Sequence, residues 1–153
     1  MMLFVYIGIL SAIIVIIVII HTKIKASKFT NKVQAYSDRH VHKVLVNHVY
    51  NFIAIDINSQ ELTYITPKKL IEFTRDQIAE VKIVEKETPG TSDPGGPEEY
   101  KVDVLIVLRE HQVRTIEINC VHSAPRGSLL YDSGCNVARA IDDAITKVKN
   151  GII

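Results

Sequence analysis

From Met2 to Ile20 the chain reads MLFVYIGILSAIIVIIVII, nineteen residues without a charged side chain, and every charged residue lies from His21 onward. The only polar side-chain groups in this run are the hydroxyls of Tyr6 and Ser11. At about 1.5 Å per residue such a helix measures roughly 28 Å, close to the hydrocarbon thickness of a bilayer. In lipid the backbone must pair internally, so a lone segment of this kind has to be helical even though Ile and Val are mediocre helix formers in water. A buried core helix so uniformly apolar would need protein on every side, more than the rest of this chain supplies. A cleavable signal peptide would show a basic start, a shorter apolar stretch and a small-residue cleavage site, and none is visible. The sequence predicts an uncleaved transmembrane anchor over residues 1–21.

The flanks orient that anchor. His21 to Lys43 holds Lys23, Lys25, Lys28, Lys32, Arg39 and Lys43 against Asp38 alone, a stem of +5, whereas residues 44–153 sum to −4. By the positive-inside rule this predicts an N-terminus outside and a cytoplasmic body, a single-pass protein of the bacterial inner membrane. Lys23, Lys25, Lys28 and Lys32 are the expected contacts to anionic lipid at the membrane surface. Phe29, Val33, Tyr36 and His40 recur at helical spacing, so residues 22–40 read as a basic amphipathic stem. The whole chain balances 18 basic against 17 acidic residues. It has no run of like charges, which argues against a nucleic-acid-binding tail. Cys120 and Cys135 are the only cysteines and should stay reduced in a cytoplasmic domain.

From Val41 the period changes. Ile53, Ile55 and Ile57 alternate with Phe52, Ala54 and Asp56, which places the isoleucines on the core face of a strand. Asn58 to Gln60 supply a turn, and Leu62 and Tyr64 return as the antiparallel partner. Pro67 ends that strand. Lys68 to Phe73 reads as a short strand, Thr74 to Gln77 as a turn, and Ile78 to Glu87 as a strand with Ile78, Val81 and Ile83 inward. Thr88 to Glu99 concentrates three of the five prolines and three of the seven glycines and reads as an inter-strand loop. Tyr100 to Arg109 and Val113 to Val121 form the second hairpin, with Val102, Val104, Ile106 and Leu108 on one face. After a loop over 122–134, Val137, Ile141, Ala144, Ile145 and Val148 make the stripe of a last amphipathic helix, capped by Asp132 or Ser133 and followed by Gly151.

The elements carried by FIAIDINSQELTYI, RDQIAEVKIVEKE and the DVLIVLRE to RTIEIN hairpin before the helix resemble, over about Val41 to Gly151, the bacterial pleckstrin-homology-like domains. The resemblance implies an α+β fold over residues 41–153, an antiparallel sheet or partly open barrel closed by the C-terminal helix. It implies a binding or assembly module and no reaction. Phosphoinositide recognition calls for a lysine and arginine cluster on the first hairpin turn. That turn is Asn58, Ser59, Gln60 and Glu61 here, and Lys68 with Lys69 follow the second strand instead.

Candidate chemistry is sparse. Cys120, His122 and Cys135 are the only Cys/His grouping, and tetrahedral zinc wants a fourth ligand. A thiol nucleophile would need a depressed pKa and an orienting third group. His40, His42 and His48 cluster near the stem as exposed imidazoles. The pairs Glu98 with Glu99 and Asp142 with Asp143 point to different sides of a regular element. Serine-hydrolase, phosphate-loop and dinucleotide signatures are absent. The expectation is a non-enzymatic protein without metal, cofactor or small-molecule substrate. Its anchor would meet membrane lipids, and its body would bind a protein partner or itself. An accessory membrane protein of a phage or mobile element, of the superinfection-exclusion or immunity type, is the alternative. The candidate partner site is the long loop, through Thr88, Gly90, Asp93, Gly95, Gly96 and Glu98, because long structureless loops in compact domains are commonly either functional or simply disordered.

Overall fold

The computed structural model describes residues 2–88 and 97–152, with side chains from residue 13 onward. Its elements, in chain order, are α1 (Met2–Ser37), β1 (His42–His48), β2 (Asn51–Asp56), β3 (Glu61–Ile65), β4 (Leu70–Thr74), a 3₁₀ turn (Arg75–Gln77), β5 (Ile78–Thr88), β6 (Glu99–Leu108), β7 (Thr115–Pro125) and α2 (Leu129–Lys149). The strands form two antiparallel sheets, β1-β2-β3-β4 and β5-β6-β7. Among the described residues no strand pairing joins the two sheets, so the expected barrel is not closed.

The transmembrane expectation is corrected. Among the described residues no helix is long and apolar enough to cross a membrane. Of the apolar run in α1, the described side chains cover Ile13–Ile20. Lys23, Lys25 and Lys28 follow it within the same helix. The side chains of the first twelve residues of the expected anchor lie outside the described ones. The single-pass topology and the inner-membrane placement deduced from the anchor are withdrawn with it.

The stem is part of the domain. Below the lysines, α1 lays Phe29, Val33 and Tyr36 over Phe52, Ala54 and Ile65, covering the outer face of the first sheet. That is why β2 is buried on both sides, with Phe52, Ala54 and Asp56 as inaccessible as Ile53 and Ile55. Ile57, expected in the core, is 53% exposed. The strand ends at Asp56, whose Oδ1 accepts the backbone N–H groups of Asn58 (2.7 Å) and Ser59 (2.9 Å). This side-chain-closed turn breaks the alternation one residue before Ile57.

The main core lies between the sheets and α2. Val102, Val104, Ile106 and Leu108 of β6 face Ile141, Ile145 and Val148 across it, together with Ile53, Ile55 and Leu62. On β5 the register shifts between Ile78 and Glu80; Ile78 is buried, Val81 half-buried and Ile83 40% exposed. The last strand runs four residues further than expected, because Val102 pairs with Val121 while Asp103 pairs with Asn119, leaving Cys120 as a bulge. The last helix starts earlier than expected. Ser128 is its N-cap, and the Ser128 hydroxyl oxygen accepts the Tyr131 N–H at 3.3 Å. Gly134, read as the end of a loop, is instead a buried position inside α2.

Candidate functional site

A type of turn that few sequences tolerate shapes the site. The two residues joining β1 to β2 are Val49 and Tyr50, with φ of 37° and 60°. Two-residue hairpins need left-handed backbone at both positions and favour Asn-Gly, whereas a β-branched valine there is strained. The strain presents Tyr50 to α1. Its ring meets Phe29 edge-on at 5.6 Å, and the Lys25 ammonium sits 5.1 Å from its centroid.

Opposite stands the β3–β4 turn, Thr66 to Lys69. It is closed by the Thr66 N–H donating to the Lys69 carbonyl (2.8 Å) and the Lys69 N–H donating to the Thr66 hydroxyl (2.9 Å). Lys68 and Lys69 of this turn are exposed, and Lys68 lies beside Lys25 and Lys28 of α1. The Lys32 ammonium donates to the Thr66 carbonyl at 3.3 Å and ties helix to turn.

Between the two turns lies a cleft of about 530 Å³, lined by Lys25, Tyr50, Tyr64, Lys68, Lys69 and the start of β7. A second hollow of about 230 Å³, with Lys28 and Ile24 on its wall, shares Lys25 and Lys68 with it. The fold thus places Lys25, Lys68 and Lys69 on the wall of the cleft and Lys28 in the adjoining hollow, while Lys32 ties helix to turn from outside both. The one carboxylate on the cleft wall, Glu117, is already paired with Lys101 at 2.7 Å. Tyr64 closes the floor. Its hydroxyl donates to Asn51 Oδ1 at 2.6 Å, and burial, with Glu117 nearby, pushes its pKa up to about 12. The opening therefore offers ammonium donors, an aromatic wall and a neutral phenol, a combination suited to holding carboxylates rather than to moving protons.

Of the expected lipid contacts, Lys25 lines the cleft and Lys28 the adjoining hollow, Lys32 bonds the turn without lining either, and Lys23 lines neither. Of the expected partner loop, Thr88 and Glu98 are described; Gly90, Asp93, Gly95 and Gly96 lie outside the described residues. The Thr88 hydroxyl donates to the Glu99 carbonyl at 3.0 Å, and the Tyr100 hydroxyl donates to Glu98 at 2.6 Å. Sequence reasoning passed over Tyr50, and it noted Lys68 and Lys69 only as absent from the first hairpin turn. The adjacent lysines after a proline were visible, but their meeting with α1 depends on the fold.

Cys120 is half-buried, and desolvation, with Asp103 close by, pushes its thiol up to about 11, the reverse of an activated nucleophile. Among the described residues no group of three metal-ligating side chains converges. His40 and His42 lock the junction of α1 and β1. The His40 ring stacks on Tyr36 at 4.5 Å and its Nδ1 meets Asp56 at 2.7 Å, while His42 Nδ1 lies 3.0 Å from the His40 carbonyl. In comparison with known proteins, the chain matches no family model, no curated protein and no solved structure.

Proposed function

We propose that this chain is a binding module without catalytic activity, which holds an acidic segment of a protein partner in the cleft between α1 and the two hairpin turns. The observation that carries the reading is the convergence of Lys25, Lys68 and Lys69 on one cleft, with Lys28 in the adjoining hollow, where among the described residues the one carboxylate on the wall, Glu117, is paired with Lys101. The strained Val49-Tyr50 turn supports it, since backbone strain of about 1–3 kcal/mol persists where function or packing demands it. The antiparallel sheets packed against α2 are consistent with the pleckstrin-homology-like resemblance, which implies binding rather than reaction.

The test is fluorescence anisotropy of a labelled oligo-glutamate peptide with the full chain. Binding should weaken with added salt, and Lys68→Glu with Lys69→Glu should lower affinity about tenfold or more, as expected from losing several exposed charge contacts of about 0.2–1 kcal/mol each. An oligonucleotide of equal charge that binds more tightly than the peptide, or an affinity indifferent to both lysines, refutes the reading.

A further inference from the structure

We infer that the acidic segment is held as an extended strand, added to the free edge of β7 where that edge walls the lysine cleft; the inference rests on the cleft being a carboxylate-binding site. β7 is the outermost strand of its sheet, and Thr115, Ile116 and Glu117 line the cleft. The Leu108 N–H donates to the Arg114 carbonyl at 2.8 Å. Bonded and non-bonded positions alternate along an antiparallel pair, so Ile116 and Ile118 are the residues bonded to Ile106 and Val104 of β6. Thr115 and Glu117 therefore turn their backbone N–H and C=O groups away from β6, toward the free edge. Among the described residues no other backbone group bonds to them.

The other outer edges carry devices against such an addition. Unpaired edges invite pairing, and folded chains blunt them with bulges, prolines or covering groups. On β4 the Glu72 carbonyl accepts from His111 Nε2 at 3.0 Å, and the Thr74 N–H donates to Gln77 Oε1 at 2.9 Å. The Val113 N–H donates to His111 Nδ1 at 3.0 Å, which leaves the ring proton on Nε2 and so fixes the bond to Glu72. β1 has a register shift between Val44 and Val46. β5 has one between Ile78 and Glu80, and Lys149 of α2 donates to the Ala79 carbonyl at 2.7 Å. The far half of β7 is broken by the Cys120 bulge, against which Gly134 of α2 packs, and it ends at Pro125. The stretch Thr115–Ile118 shows none of these devices, and it is the stretch that meets the lysines.

The wall names the occupant. Lys25, Lys68 and Lys69 line the same cleft as the edge, and the Glu117 carboxylate is taken up by Lys101 at 2.7 Å. The ammonium groups select carboxylates, while main-chain pairing adds affinity that is indifferent to side chains. A run of acidic residues repels itself into an extended form, which is the form that a strand edge accepts. A helix has its backbone groups already paired and cannot use the edge. The occupant is thus an extended acidic stretch of the partner, not the acidic face of a folded helix. Thr115–Ile118 offers it about 13 Å of edge at 3.3 Å per residue.

Amide hydrogen exchange of the full chain, followed by NMR with and without a saturating oligo-glutamate peptide, tests this. The Thr115 and Glu117 amides should exchange freely in the chain alone and slow by about tenfold or more with peptide, while the Lys68 amide on the opposite wall keeps its rate. Thr115→Pro deletes one outward N–H at the first residue of the strand, where proline costs no ladder bond. It should weaken peptide binding by about two- to tenfold, the worth of one hydrogen bond, whereas Thr115→Ala keeps the N–H and should bind like the wild type. If the peptide binds but both amides exchange as before, or Lys68 slows equally, the strand inference is refuted and the cleft reading stands. A folded Thr115→Pro variant that binds like the wild type has the same meaning. Amides already protected in the free chain, with a sedimentation mass of two copies, would put a second copy on the edge and overturn the inference as well. If no peptide binds, both readings fall.

Discussion

Gly134→Ala examines how α2 is seated. A Cβ at this position would lie 2.7 Å from the Cys120 carbonyl oxygen and 2.2 Å from Val121 Cγ2, where ordinary contact begins at 3.4 Å. The valine methyl can rotate away; the carbonyl belongs to the bulge of β7 and cannot. Relief therefore requires α2 to retreat by about 0.7 Å at that point, and a gap of that size forfeits a quarter to a half of the dispersion energy of each facing contact. The residues that lose packing are Ala138, Ile141 and Ile145, all buried against the sheet. Overpacking of this kind costs about 1–3 kcal/mol, and backbone contact places it at the upper end. Alanine returns about 1 kcal/mol of helix propensity. The net expectation is a loss of about 2 kcal/mol, or roughly 4–8 °C in Tm for a chain of this size. Thermal melts of the full chain by circular dichroism measure it, with Ala140→Gly on the exposed face of α2 calibrating the propensity contribution alone. If Gly134→Ala melts higher than the wild type by the amount Ala140→Gly melts lower, α2 does not approach the β7 bulge and the packing described is wrong.

Other expectations follow from single contacts. Lys101→Met removes the ammonium 2.8 Å from Asp103, which is 1% exposed, and should destabilise the chain by about 3–5 kcal/mol in denaturant melts; Asp103→Asn on top should recover much of that loss. Asp56 is held below the ordinary carboxylate pKa by the backbone N–H of Ser59 and by His40, so its contribution to stability is present above the unfolded pKa and lost as pH falls through the folded one. Melts of Asp56→Asn should accordingly converge with the wild type in acid and diverge above about pH 4, and parallel curves would discount the carboxylate. Val49→Asn with Tyr50→Gly relaxes the strained turn and should raise stability by about 1 kcal/mol while weakening oligo-glutamate binding; a gain in both would remove the turn from the site. Alkylation of Cys120 at pH 8, followed by mass spectrometry, should lag well behind a free thiol in a peptide, since burial pushes its pKa up to about 11.

Periodic elements were legible from the sequence and irregular ones were not. Strict alternation on β6 and the stripe Ile141, Ile145, Val148 report a one-sided environment, so each named its own buried face. β2 misled because α1 covers its second face, turning what looked like a polar side into a small core around Tyr36, Phe52 and Ala54. The Cys120 bulge and the early start of α2 leave no periodic trace. They are settled by tertiary fit between Gly134 and the β7 backbone, to which propensity is blind. The cleft was beyond reach for a related reason. Lys25 read as a lipid contact while Tyr50 and Lys68 carried no site reading, and only the return of the β3–β4 turn to α1 makes them neighbours. The apolar run was the most conspicuous feature of the sequence, and the transmembrane reading drawn from it is the one the described residues overturn.

The continuity of α1 has a mechanical consequence. Between Ile13 and Ser37 there is neither glycine nor proline, and the lower half is clamped to the first sheet through Phe29, Val33 and Tyr36. The exposed Ile13–Ile20 run, 47–59% accessible along its length, therefore lies toward the tip of a lever whose direction and azimuth are dictated by the body. Whatever grips the tip also aims the lysine cleft. Each residue added between Ile20 and Lys25 would turn the tip by about 100° and advance it by about 1.5 Å relative to the cleft. Two surfaces that share no contact are geared together by one uninterrupted helix.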